Sequence, residues 1–169
     1  MSLKVLITGA AGQLGQELQR SAPANVEVLA AARDSLDITD GEQVRAFFAK
    51  HSPQLLINAA AYTAVDRAES EPDKAMSVNA DAAANLADAC AESGTRMLHV
   101  STDFVFDGTA SSPYLPEAAT SPLGEYGRSK LAGEQRVIEA LPGALVMRTA
   151  WVYSAFGGNF VKTMLRLMA

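Results

Sequence analysis

The sequence predicts an α/β fold, a doubly wound parallel sheet with helices on both faces. Two observations predict it. Short apolar runs alternate with longer amphipathic segments along the chain, the pattern of repeated βα units. The apolar runs also lack clean in–out alternation, as expected of strands covered on both sides. A third feature, glycines spaced Gly9, Gly12 and Gly15 directly after the first run, marks where such a sheet would hold a ligand.

Each element has a local reason. Leu3–Thr8 reads as the first strand and Leu14–Ser21 as the helix after it; Val26–Ala31 reads as the second strand. Thr39 and Glu42 have capping-box spacing, opening a helix to about Lys50. Gln54–Asn58 is the third strand. Pro72–Ser93 is one long helix ended by Gly94. Met97–Ser101 is the fourth strand. Asp107 to about Gly124 has the Gly, Ser and Pro content of a long loop, and loops of that length are usually functional or mobile. A helix over about Tyr126–Ala140 stops at Pro142 and Gly143, Ala144–Thr149 is the fifth strand, and a last helix covers about Asn159–Leu167.

Composition narrows the function. The chain has 169 residues, about one domain, with 49% hydrophobic and 20% charged residues. A net charge of −5 argues against broad nucleic-acid binding. The lone Cys90 precludes an internal disulfide and falls in an Ala-rich helical stretch, where it reads as a small core residue. No apolar run reaches membrane-spanning length and no signal-peptide pattern opens the chain, so a cytoplasmic protein with no membrane partner is expected. His51 and His99 form no metal-ligand pair, and His99 reads as a satisfied core histidine.

Three clusters can carry chemistry at the strand ends. The strand–turn–helix with Gly9, Gly12 and Gly15 suits a pyrophosphate: the backbone can approach closely, and the first helical N–H groups face the anion. Tyr126 and Lys130 stand four apart on a helix and share a face. An ammonium beside a phenol lowers its pKa, so the tyrosine can exchange a proton near neutrality. After the fourth strand, a hydroxyl of Ser101 or Thr102 can polarise a carbonyl, and Thr102 is the preferred candidate. Asn58-Ala-Ala-Ala61 offers small residues for close passage of a ligand, or for tight helix–sheet packing.

Together, Thr8-Gly-Ala-Ala-Gly-Gln-Leu-Gly15, Asn58-Ala-Ala-Ala61, Ser101-Thr102 and Tyr126-x-x-x-Lys130 resemble the extended short-chain dehydrogenase/reductase family. Leu36-Asp-Ile-Thr-Asp40, Tyr62-Thr-Ala-Val-Asp-Arg-Ala-Glu69, Ser101 to Gly108, Arg148 to Tyr153 and Asn159 to Arg166 look like its dTDP-4-dehydrorhamnose reductase branch. The resemblance implies a Rossmann-type fold, NADPH or NADH as cofactor, and a dTDP-sugar substrate reduced at its C4 keto group. It implies that Tyr126 protonates the new alkoxide, that Lys130 lowers the Tyr126 pKa and binds the nicotinamide ribose, and that Thr102 holds the carbonyl. Gly9, Gly12, Gln13 and Leu14 would line the pyrophosphate, and Ala60, Ala61 and Thr63 would pass beside the cofactor. Asp37 and Ile38 would flank the adenine, with Asp37 alternatively a plain loop residue. Trp151 would pack near the sugar, or else fill a gap beside the fifth strand. Arg33 favours a 2′-phosphate and Asp34 beside it a free ribose, which leaves the choice of cofactor open. The family is associated with Mg2+, for which the sequence supplies no ligand set.

Family members are longer, so residues 1–169 are expected to be the NAD(P)-binding domain with the C-terminal substrate domain largely absent. Phe160, Met164 and Leu165 of the last helix would then favour self-association, with a homodimer the expected assembly. Two alternatives stay open at this point: an epimerase or dehydratase of the same superfamily, and a non-catalytic subunit like that of methionine adenosyltransferase.

Overall fold

A computed structural model describes residues 2–168. Five strands, β1 (Leu3–Thr8), β2 (Val26–Ala31), β3 (Leu55–Asn58), β4 (Arg96–Thr102) and β5 (Leu145–Thr149), form one sheet in the order β2-β1-β3-β4-β5. Every neighbouring pair is parallel, with Val5 opposite both Val28 and Leu55, and Leu98 opposite Leu145. The chain leaves β1 in one direction to β2 and returns to β3 on its other side. That reversal opens a crevice at the C-terminal ends of β1 and β3.

The helices are α1 (Gln13–Arg20), α2 (Gly41–His51), α3 (Val65–Ala68), α4 (Pro72–Met76), α5 (Ala82–Ser93), α6 (Glu125–Ala140) and α7 (Phe160–Met168). One face of the sheet is closed by α2, α5 and α6. Leu6, Leu56 and Met97 meet Val44 and Phe48 of α2, Leu86 and Cys90 of α5 and Val137 of α6 in one apolar cluster. Cys90 is buried there, and burial pushes its thiol up to about 12, so it is the inert core residue expected. On the opposite face α1 lies against β1 and β2, and Leu145 and Met147 of β5 stay exposed.

Four details differ from the sequence reading. The cap of α2 is Asp40, whose carboxylate accepts from the N–H groups of Glu42 and Gln43 at 3.0 and 3.1 Å. Thr39 instead gives its hydroxyl to Asp37. The helix predicted over 72–93 runs through α4 and α5 but contains one wide π turn, Ser77–Asp81. It does end at Gly94 with φ +70°. The short α3 has too few residues to show a period and was not expected. Finally, β4 extends one residue further at each end, so Thr102 belongs to the strand and a 3-10 turn, Asp103–Val105, follows at once.

Candidate active site

The site begins where β1 ends. Gly9 has φ +68°, and a Cβ there would lie 2.6 Å from the Ala60 nitrogen. Only glycine fits that crossing between the first loop and residues 59–61. Gly12 then caps α1 without any side chain occupying the first N–H groups. Bare helical N–H groups, a turn with no Cβ and a wall of alanines fit a pyrophosphate in shape and in donor chemistry.

A cleft of about 430 Å³ is lined by Gly12, Gln13 and Leu14, by Ala61 and Thr63, and by Thr102, Tyr126, Lys130 and Trp151. A second hollow of about 100 Å³ is lined by Gly9, Arg33, Asp37, Ile38 and Ala60. The fold thus gathers the proton-handling residues and most of the cofactor candidates into these two spaces, while Gly15, Asp34 and Asn58 line neither. The larger lies at the mouth of β4 and β5, the smaller at the end of β2.

The proton-handling end is built on α6. Tyr126 is buried and meets the Phe104 ring edge-on, with centroids 5.5 Å apart. Burial pushes its phenol up; the Thr102 hydroxyl pulls it back and the Asp103 carboxylate pushes it further up. Lys130 is 2% exposed and donates to the Val100 carbonyl at 2.7 Å. Burial pulls its ammonium down to about 8, against the raising effect of Glu134. The expected lowering of Tyr126 by Lys130 is therefore not what this arrangement shows. The lysine is turned to the sheet, and the acidifying neighbour of the phenol is Thr102. An ammonium has three donors, and one is spent on Val100.

Asp37, Trp151 and His99 each have distinct surroundings. Asp37 uses one carboxylate oxygen on the Thr39 N–H and hydroxyl, at 3.0 and 2.7 Å, and also lines the smaller hollow. Trp151 fills no gap: it has φ +53°, is 75% exposed and sits edge-on to Phe160. His99 is buried but only half satisfied. Its Nδ1 meets Asn58, while Nε2 has no partner among the described residues; the same holds for the Ser101 hydroxyl.

Sequence reasoning missed Asn79. It lies in the π turn, fully buried, with Oδ1 accepting from the Tyr62 N–H and Nδ2 donating to the Tyr62 carbonyl and the Ser129 hydroxyl. It therefore ties the segment after Ala61 to the helix face between Tyr126 and Lys130. A polar amide in an otherwise alanine-rich helix was the available signal. Glu69 was missed as well; its carboxylate accepts from the Glu125 N–H at 2.8 Å and caps α6.

Residues 3–169 match the family described as RmlD substrate binding domain. The chain belongs to that family. Among RmlD relatives, a Streptomyces griseus protein named dTDP-4-dehydrorhamnose reductase is 48% identical over 170 residues, 97% of this chain and 55% of that protein. A Streptomyces niveus protein named dTDP-4-keto-6-deoxy-D-glucose reductase is 44% identical over 169 residues, 99% of this chain and 59% of that one. The crystal structure of dTDP-4-dehydrorhamnose reductase from Bacillus anthracis in complex with NADP is 41% identical. It superposes with a TM-score of 0.97, covering 99% of this chain and 60% of that one. The chain spans a little over half the length of the curated relatives it matches. Among the described residues, no helix is long and apolar enough to cross a membrane, and no three His, Cys, Asp or Glu residues gather as a metal site.

Proposed function

We propose that residues 1–169 form the NAD(P)H-binding, proton-donating domain of a dTDP-4-dehydrorhamnose reductase, which reduces the C4 keto group of dTDP-4-dehydro-L-rhamnose to dTDP-L-rhamnose. The observation that carries this reading is the meeting of the glycine loop with Thr102, Tyr126 and Lys130 around one cleft. The names of the RmlD relatives, and the NADP held by the Bacillus anthracis enzyme, support it. The length those relatives have beyond the matched part is where most contacts to the sugar nucleotide would be made.

A reduced nicotinamide, when bound, supplies a hydride to the carbonyl carbon. The chain's own residues do the rest. The Thr102 hydroxyl, which otherwise donates to Asp103 Oδ1 at 3.2 Å, turns to donate to the carbonyl oxygen and fixes its direction. As that oxygen gains charge, the Tyr126 O–H gives it a proton, so one carbonyl, one hydride and one proton become a secondary alcohol. Lys130, with one donor held by the Val100 carbonyl, directs a remaining donor at the nicotinamide ribose. Arg33, exposed at the rim of the small hollow, meets a 2′-phosphate and favours NADPH over NADH. Trp151 presents its open ring to the sugar. Mg2+ belongs to the family resemblance alone, and a homodimer is the proposed assembly.

A fluorescence titration with NADPH and NADH tests the reading, followed by NADPH oxidation with dTDP-4-dehydro-L-rhamnose. Tighter binding of NADPH, abolished as a preference by Arg33→Ala, is expected, with little turnover from these residues alone. Absence of binding by either nucleotide overturns the assignment. The Streptomyces niveus relative, of similar identity and coverage, favours a second reading in which another dTDP-4-keto-6-deoxy sugar is the acceptor. Comparing the two keto sugars in the oxidation assay separates them.

A further inference from the structure

Asn58 closes β3 with 1% of its surface exposed, and its amide has only one possible orientation. The Ala60 N–H, which can only donate, reaches Oδ1 at 3.1 Å, and the Thr8 hydroxyl donates to the same oxygen at 2.8 Å. The amide nitrogen is thereby turned to His99 Nδ1, 3.0 Å away across β3 and β4. An amide NH2 only donates. Nδ1 must therefore accept, and the single ring proton must sit on Nε2.

We propose that His99 is a positioning residue for the dinucleotide cradle, its Nδ1 lone pair locking the Asn58 amide that in turn pins Thr8 and Ala60 on either side of Gly9. The inference rests on the cofactor assignment above and extends it to a residue with no contact to the cleft. Thr8 and Ala60 flank the crossing where a Cβ on Gly9 would strike the Ala60 nitrogen. A small rotation of the Asn58 amide would move that crossing directly. Asn58, by its hydrogen bond, and Lys130, by its charge, are the groups that act on the imidazole. Burial first, and then the Lys130 ammonium, pull the ring down to about 3, so it stays neutral and keeps its lone pair at neutral pH. An imidazolium would present a second donor to the amide and break the lock.

Two arms test this on the whole chain. ¹⁵N NMR of the imidazole at neutral pH is expected to show one neutral tautomer with the proton on Nε2. A proton on Nδ1, or an imidazolium, overturns the inference whether or not a dinucleotide binds. The second arm titrates NADPH against His99→Asn, whose Oδ1 falls where Nδ1 was, and His99→Leu, which has no acceptor. His99→Asn should bind within about threefold of the unsubstituted chain and His99→Leu about tenfold more weakly, the usual effect of orphaning one buried donor. Equal affinity in all three, or equal loss in both variants, overturns it. So does a loss that merely follows the folded fraction in a thermal melt run alongside. If the unsubstituted chain binds no NADPH, the cofactor assignment falls and this inference with it. NADPH binding with the wrong tautomer sinks this inference alone.

Discussion

The two sides of this sheet are held together by different forces. Against α2, α5 and α6 the contacts are apolar: Leu6, Leu56, Val44, Leu86 and Val137 are fully buried. From β5 onward the chain turns outward. Leu145 is 67% exposed, and α7 has no buried residue at all. That last segment is fastened by polar bonds, from Ser154 to Glu17 and from Asn159 to Gln13. The difference shows that the candidate catalytic helix α6 belongs to the stable side. The segment carrying Trp151 belongs to the weakly held one.

Substitutions should separate the sides. Leu86→Ala leaves a cavity in the closed cluster and should cost about 3 kcal/mol in urea unfolding. Almost as large an effect should come from pH. Lys130 has an ordinary pKa of 10.5 and is pulled to about 8 in the folded chain. Between those values the unfolded chain holds a proton that the folded chain does not. Stability should therefore rise from about pH 8 to pH 10.5, by roughly 3 kcal/mol, and the gain is absent below pH 8, where both states are protonated. Lys130→Met should flatten that rise; a rise that persists would locate the titration elsewhere.

Next comes the seam between the sides. Glu134, one turn beyond Lys130, accepts from Arg148 of β5 at 3.0, 3.2 and 2.6 Å, and Arg148 also donates to the Pro116 carbonyl at 3.0 Å. Glu134→Ala strands a partly covered guanidinium and should cost about 2 kcal/mol. A smaller loss, about 1 kcal/mol, is expected of Asp40→Ala, which uncaps α2 on the closed side. Thr39→Ala should cost less than Asp40→Ala, and the reverse order would restore Thr39 as the cap. Smallest of all, Leu165→Ala on α7 should change stability by under about 0.5 kcal/mol. A cost near that of Leu86→Ala would erase the distinction between the two sides.

Much of this fold was legible because its punctuation is local. Gly94 ends α5, the βα alternation forecasts the parallel sheet, and the spacing of Tyr126 and Lys130 needs only a helix to bring them to one face. What escaped depends on which of several possible partners a side chain takes, most of them far away in sequence. Thr39 and Asp40 are both good caps, and only the position of Asp37 decides between them. The π turn answers to Ser129, fifty residues on, through Asn79. Tyr126 and Lys130 were placed correctly on their helix, but nothing nearby in sequence announces that the ammonium turns to the Val100 carbonyl. His99 was recognised as a core residue, while its half-used ring depends on Asn58, forty-one positions earlier.

The polar fastening of the last segment sets an order of opening. With no buried apolar side chain to expose, α7 can lift from the body for a small fraction of the free energy that unfolds α5. Its amide hydrogens should trade with solvent deuterium while those of α5 are still locked. Gln13, which lines the cleft and also holds Asn159, makes that exchange rate a gauge of whatever enters the cleft.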